Sequence, residues 1–335
     1  MDIKESIDFI ITWVDGADPA WRAEKQRYSA EPESDDRNER YRDWELLRYW
    51  FRGVEKFAPW VRTIHFVTWG HLPSWLNVDN PKLHIVKHND YIPQEYLPTF
   101  NCNPLELFLH NIDSLSERFV YFNDDIFCLK PLKEEDFFRN GKACDMLAFQ
   151  PVVANKDNPV MSHMMLNNSL VLAKHFDKRD NVKKQPGAYF NLGYPLLYFS
   201  YNLLELVFPR YTGFYTVHGP YTLCKQTYRD VWEKEATILS QTMASKFRSR
   251  EDVTLYLLRE WQKLSGNFTP RNVHKDLAYY NVGEHDSKML QTITKQKRKF
   301  ICINDANKPI DFDRTKVEIQ NAFKKILPEQ SSFEK

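Results

Sequence analysis

The sequence is short of glycine, with 10 in 335 residues, and neither GxGxxG nor GxxxxGK[ST] occurs in it. Those spacings let backbone close around a pyrophosphate, so a dinucleotide-dependent dehydrogenase or a P-loop kinase is a poor reading. Surplus charge is lacking too, because 46 Lys and Arg oppose 45 Asp and Glu. No global field gathers nucleic acid, and phosphate chemistry must be local. The five cysteines, Cys102, Cys128, Cys144, Cys224 and Cys302, never form a CxxC pair. They read as reduced core thiols rather than a zinc site or disulfide framework. The opening MDIKESIDFI has no basic segment leading into an apolar stretch. With no signal peptide visible, a cytoplasmic protein is expected. The most apolar stretch, 194–208, carries Pro195, Asn202 and Glu205 and falls short of the ~20 residues of a spanning helix. It is expected to be buried, with contact to a membrane surface as the alternative.

What is present is apolar material, 42% hydrophobic and 15% aromatic, enough for one large core or two modest ones. Runs of strand length at 7–14, 63–69, 83–87, 118–122, 146–152 and 299–303 alternate with helical patterns. That order implies an α/β fold, with a mostly parallel central sheet, flanking helices and a helical C-terminal half over 167–265. Several runs are continuous, as strands covered on both faces are. Asp43 can cap a helix that aligns Leu47, Trp50, Val54 and Phe57, and Asn103-Pro104 can open another carrying Leu105, Phe108, Ile112 and Leu115. The charged stretch 31–40 is expected to be a mobile loop, and the polar tail after Pro328 to fray.

Three of these strands end in acid: Asp15 follows IITWV, Asp124 and Asp125 follow FVYFN, and Asp305 follows FICIN. Ligands of open α/β sheets sit beyond the carboxyl ends of strands. If the strands are neighbours, four carboxylates converge, an arrangement that a cation must neutralise. Oxygen ligands suit Mg²⁺ or Mn²⁺, which could bridge a nucleotide pyrophosphate. The alternative is that each Asp merely caps a turn or a helix.

Four blocks carry a resemblance to a known family. They are IDFIITWVDGADPAW at 7–21, the long stretch from RDWELLRYWFRGVEKFAPW to RFVYFNDDIF over 42–127, VHGP at His218 continuing to FRSREDV at 247–253, and RKFICIND at 298–305. In this order they resemble the Stealth family, which includes bacterial capsule phosphotransferases and the animal GlcNAc-1-phosphotransferase that tags lysosomal enzymes. No family motif is recognisable over 161–213.

The resemblance implies transfer of a hexose or N-acetylhexosamine 1-phosphate from a UDP-sugar to a hydroxyl of an oligo- or polysaccharide acceptor. The product is a phosphodiester in capsular or cell-surface polysaccharide, and UMP is released. His218 is the implied base, Arg248 the phosphate grip at a helix start where Ser249 and Asp252 fit a capping box, and Asp124 a further catalytic group. Asp125 and Asp305 are the implied ligands of Mg²⁺ or Mn²⁺, while Asp15, Asn304 and Arg42 support the donor. Asp43 and His110 are secondary candidates. The implied division is a donor- and metal-binding core of 1–160 and 290–325, with 161–289 a mainly helical region that binds acceptor and carries His218 and Arg248. No nucleic-acid partner is implied.

The basic run 174–184, KHFDKRDNVKK, is a solvated face or a contact for lipid-linked acceptors at the inner face of the cell membrane. Two rival readings are a metal-dependent glycosyltransferase that releases UDP and a non-catalytic glycan-binding protein.

Overall fold

The computed structural model describes residues 6–28, 43–156, 158–305 and 309–335. The loop 31–40 and Arg42 lie outside the described residues. The described strands are β1 (Ile7–Trp13), β2 (Ile64–Thr68), β3 (Leu83–Lys87), β4 (Arg118–Phe122), β5 (Ile126–Cys128), β6 (Phe138–Arg139), β7 (Lys142–Asp145), β8 (Tyr221–Cys224), β9 (Phe268–Pro270), β10 (Leu277–Asn281) and β11 (Phe300–Asn304). They form a five-stranded sheet in the order β3-β2-β1-β4-β8 and two three-stranded sheets, β10-β11-β5 and β6-β7-β9.

In the large sheet β1 to β4 are parallel, and β8 runs antiparallel to β4. The fold is therefore α/β with a mostly parallel central sheet. Successive side chains of a strand point to opposite faces. Phe9, Ile11, Val120 and Phe122 enter one core with helix Leu47–Phe57, while Ile10, Phe119 and Tyr121 enter a second with helix Leu255–Leu264. Both faces being covered, the strands are mainly apolar, and buried Asp8 of β1 is answered by Arg62, His65 and the Ser116 N–H. Within helix Leu47–Phe57 a Cβ on Gly53 would stand 3.1 Å from the Cys128 carbonyl oxygen, so glycine is what lets this helix lie against β5.

Several local expectations are corrected. Asp43 is not the helix cap: its Oδ1 accepts the Glu45 N–H at 2.6 Å in a turn, and Leu46 precedes the helix without a side-chain cap. The second helix spans only Cys102–Leu107 and is capped by Asn101, with a 3₁₀ turn at Leu109–Asn111. Residues 146–152 are not a strand but an irregular segment, buried over 146–149, that meets 212–215 through the bridge Phe149 to Phe214 and through backbone bonds from the Tyr215 N–H to the Ala148 carbonyl at 2.9 Å and from the Val152 N–H to the Thr212 carbonyl at 3.1 Å. Side chains supplement those backbone bonds on the other side. The Asn202 Oδ1 accepts the Phe149 N–H at 2.7 Å and its amide donates to the Leu147 carbonyl at 3.0 Å, while Tyr194 Oη accepts the Leu147 N–H at 3.1 Å.

The helical half opens earlier than expected, at Pro159, where Asn158 caps helix Pro159–His175 and proline fits the first turn. It also contributes β8 to the large sheet. The tail after Pro328 is tied down rather than frayed. The Arg52 fork donates to both Glu334 oxygens, at 2.6 and 2.7 Å, and Phe333 is buried. Finally, helix Leu196–Glu205 exposes most of its leucines instead of burying them.

Candidate active site

Chain direction decides what gathers at one edge of the large sheet. β1 and β4 are parallel, so the segments that follow them, with Asp15 and Asp124-Asp125, leave from the same edge. β8 runs the other way and pairs Tyr221 with Tyr121, so the residues just before it arrive at that edge as well. His218 is thereby delivered to the acid pair. Past Asp125 the chain turns into β5, where the Ile126 N–H reaches the Asn123 carbonyl, and β5 pairs antiparallel with β11. The Ile303 N–H donates to the Asp125 carbonyl at 2.9 Å, and Cys302 stands opposite Ile126. Asp305 therefore approaches from a different sheet, not from a neighbouring strand.

At the centre, His218 Nε2 lies 3.2 Å from Asp125 Oδ2, and the Cys302 thiol donates to the same oxygen at 3.2 Å. Ligand atoms of Asp125, His218 and Cys302 all fall within 4.8 Å of one another. On its far side His218 Nδ1 meets Tyr221 Oη at 2.7 Å and Tyr256 Oη at 3.2 Å. To face a carboxylate Nε2 must carry a proton, so the neutral ring accepts the Tyr221 hydroxyl at Nδ1. Burial opposes protonation of His218, but the charge and hydrogen bond of Asp125, followed by Glu106, outweigh it and raise the imidazole above its usual range.

The Asp124 side chain is exposed to solvent. Burial by the surrounding walls, then the like charges of Asp125 and Asp43, push its carboxyl up to about 7. Water reaching the side chain offsets part of the first cause, which leaves the like charges as the ones a cation would relieve. Asp43 is raised as well, by burial first, then Glu45, with Asp15 adding to it. A negative group of Asp15, Asp43, Asp124 and Asp125 thus shares one cleft.

A divalent cation fits the acid pair by chemistry. Asp125 Oδ1 is buried without a hydrogen-bond partner, and Asp124 carries a charge its neighbours disfavour. Cys302 fits less well as a ligand. Burial, then the charge of Asp125, hold its thiol well above the usual range, so it stays a neutral donor. The Asp305 carboxylate accepts the Trp44 indole N–H at 3.1 Å.

The remaining candidates lie around this centre. Asp15 Oδ1 accepts the Ala17 N–H at 2.8 Å, as turn-capping aspartates do, and its own N–H donates to His71 Nε2 at 2.7 Å. Asn304 donates to Asn281 Oδ1 at 2.8 Å across the paired ends of β10 and β11. Arg248 donates to the Cys102 sulfur at 2.8 Å, and its charge reaches the buried Glu106, which burial raises above its usual range. Arg248 is not at a helix start: the following helix begins at Leu255 under a Thr254 cap, and Asp252 instead accepts from Asn101, Asn103 and the Ser249 N–H. His110 stacks among Phe108, Tyr228 and Trp232, and burial lowers it to about 4, as for a neutral core histidine.

Sequence reasoning missed Tyr221, Tyr256, Glu106 and Cys302. Tyr256 and Glu260 are four apart on helix Leu255–Leu264, and both line a cavity of about 510 Å³ walled by 150–156 and 214–216. Gly213 permits that wall, because at φ +152° a Cβ would stand 2.5 Å from the Gln150 carbonyl oxygen. The cavity reaches His218 through Tyr256. Glu260 binds Thr216 Oγ1 at 2.9 Å and Lys263 Nζ at 2.7 Å with one oxygen, and its other oxygen is buried without a partner.

Family models described as Stealth protein conserved region 1 and conserved region 2 match residues 5–32 and 40–145. A capsular polysaccharide phosphotransferase, WcwK of Streptococcus pneumoniae, is 39% identical over 333 residues, which are 98% of this chain and 99% of that protein. A receptor polysaccharide phosphotransferase, WefC of Streptococcus gordonii, is 35% identical over 335 residues, again 98% and 99% of the two chains. The apo structure of mouse xyloside xylosyltransferase 1 superimposes over 91% of this chain and 99% of its own with a TM-score of 0.38 at 11% identity, a likeness too slight to carry an argument. Similarity that runs end to end with two curated proteins, together with matches to both conserved regions, establishes that this chain belongs to the Stealth family.

Proposed function

We propose that the protein transfers a sugar-1-phosphate from a UDP-sugar to a hydroxyl of a glycan acceptor, making a phosphodiester in a surface polysaccharide and releasing UMP. The observation that carries this reading is His218 held between Asp125 and two phenols, beside a cleft whose acids call for a cation. The names of the similar streptococcal proteins support phosphotransfer into polysaccharide.

The acceptor oxygen attacks the phosphorus that bears the sugar. His218 takes the hydroxyl proton, the anhydride bond breaks, and UMP leaves with the bonding pair. Asp124 and Asp125 would hold Mg²⁺ or Mn²⁺, which when bound supplies positive charge to the pyrophosphate. For Nε2 to act as base it must release Asp125 and the ring must carry its proton on Nδ1 instead, donated to the Tyr221 or Tyr256 oxygen; engagement of the Asp125 carboxylate elsewhere permits that tautomer. Arg248 then answers the charge on the phosphoryl oxygens with its fork. Asp305, Asn304 and Asp15 support metal and donor from around this centre, and Arg42 is assigned to the donor from the sequence alone. The cavity beside Tyr256 receives the acceptor sugar, and the unpartnered Glu260 oxygen accepts one of its hydroxyls.

The test is nucleotide-release analysis of purified protein with Mg²⁺ or Mn²⁺, a panel of UDP-sugars and a glycan extract from the source cell. UMP that requires acceptor and disappears with EDTA is expected. UDP as the product would identify a glycosyltransferase and overturn the proposal. Under the productive condition His218→Ala, Asp125→Ala and Arg248→Ala should each lower turnover by roughly 10²–10⁴-fold, the scale of lost proton transfer or charge stabilisation, with circular dichroism unchanged. A near-normal rate in any one removes that residue from the mechanism.

A further inference from the structure

Helix Leu196–Glu205 is built inside out. Its buried positions are Tyr198, Asn202 and Glu205, two of them polar. Asn202 is fixed by the Phe149 N–H at 2.7 Å and by the Leu147 and Tyr189 carbonyls at 3.0 and 2.6 Å. Glu205 accepts from Thr212 at 2.6 Å and from Lys178 at 3.0 Å. With the polar side locked inward, apolar residues are forced outward. Leu196 is 81% exposed, Leu204 64% and Val207 80%, and Leu192 just before the helix 91%. Leu197 and Phe208 continue the same exposed surface. Scattered exposed leucines are ordinary, but a continuous apolar ridge on a folded domain marks a contact surface.

The chemistry beside the ridge says what covers it. Buried Lys178, on helix Lys178–Lys184, donates to the Glu205, Phe208 and Arg210 carbonyls at 2.6, 3.3 and 3.2 Å and so clamps that helix to the end of the ridge. The clamp leaves Arg179, Lys183, Lys184 and Arg210 exposed beside it, and with Asp177 and Asp180 exposed among them this border is still net positive. Leucines flanked by long basic side chains match a bilayer boundary, where apolar groups enter the acyl region and ammonium or guanidinium groups meet lipid phosphates. Among the described residues no helix is long and apolar enough to cross a membrane. We propose that this face docks the protein, without spanning, on the surface of an anionic lipid bilayer. Phe208 and His218 are ten residues apart, so the candidate active site lies no more than about 35 Å from the end of the ridge. The inference does not depend on the reaction assigned above.

The test is co-sedimentation of the full chain with vesicles of phosphatidylcholine alone or with phosphatidylglycerol added, at low and high salt. Two variants are compared after their thermal midpoints have been matched to wild type: Leu196→Ser with Leu204→Ser and Val207→Ser, and Arg179→Gln with Lys183→Gln and Lys184→Gln. Wild type should bind the anionic vesicles at least tenfold more than the neutral ones. The serine variant should lose tenfold or more on anionic vesicles, and the glutamine variant should lose its lipid-charge and salt dependence. Binding that is absent, or equal in wild type and the serine variant, overturns the proposal. So does a concentration-dependent dimer, seen by light scattering and abolished by the serine changes without vesicle binding, because a second copy would then be what covers the ridge.

Discussion

A carboxyl that shares its cleft with other acids couples stability to pH and to cations. An unfolded Asp titrates near ~3.9, and Asp124 in the fold is pushed up to about 7. Between those values the folded chain keeps a proton that the unfolded chain has lost, so stability contributed by this group falls as pH rises through the window and stays low above it. In EDTA the melting temperature should decline from pH 5 to 8, with a shallower decline in Asp124→Asn. Added Mg²⁺ or Mn²⁺ should raise it more at pH 8 than at pH 5. An identical slope in the two proteins would remove Asp124 as its source. At the same scale, Glu260→Gln keeps the shape of the cavity but changes the acceptor it offers. A raised KM for the glycan with kcat little changed is expected from initial rates, and an unaltered KM would separate the cavity from acceptor binding.

Helix Leu255–Leu264 holds the site from behind. Arg259 grips both Asp145 oxygens at 2.6 and 2.9 Å, and its remaining nitrogen donates to the Val217 carbonyl, one residue before His218, at 2.5 Å. Both charges are buried, and removing one leaves the other unpaired. Asp145→Ala should therefore cost about 3–5 kcal/mol by denaturant titration. Glu334→Ala should be costly for the same reason, since it strands buried Arg52. Element by element, strands of five or more mainly apolar residues were legible from sequence: 83–87 and 118–122 match their predicted bounds, and β1, β2 and β11 lie within a residue or two of theirs. The short strands β5 to β9 carry too few residues to show a period. The segment 146–152 has the apolarity of a strand, but its partners are the backbone of 212–215 and the side chains of Tyr194 and Asn202, all distant in sequence, which periodicity cannot reveal. The inverted helix misled for a related reason. Composition records that the leucines are there, and only Asn202 and Glu205 decide that they face outward. At the site, acids at strand ends could be read from sequence, whereas Tyr221 and Tyr256 depend on β8 running against β4.

At the scale of the molecule, the large sheet joins the two halves of the chain. β8 comes from the 161–289 stretch and hydrogen-bonds to β4, with Arg118 opposite Cys224 and Tyr121 opposite Tyr221. Expressed alone, 161–289 would carry three unpaired strands, β8, β9 and β10, and half of a core, and it should show no near-ultraviolet dichroism. A cooperatively melting fragment would instead mark an independent domain. The cleft also acts on whatever approaches it. Asp15, Asp43, Asp124 and Asp125 make it negative, so under the proposed reaction a bare nucleotide diphosphate would be repelled from it. Arrival order follows from that field: the cation enters first, or travels already chelated by the donor. In initial-rate experiments the true substrate would then be the metal–nucleotide complex, and excess free nucleotide-sugar would inhibit by withdrawing metal rather than by competing for the acids.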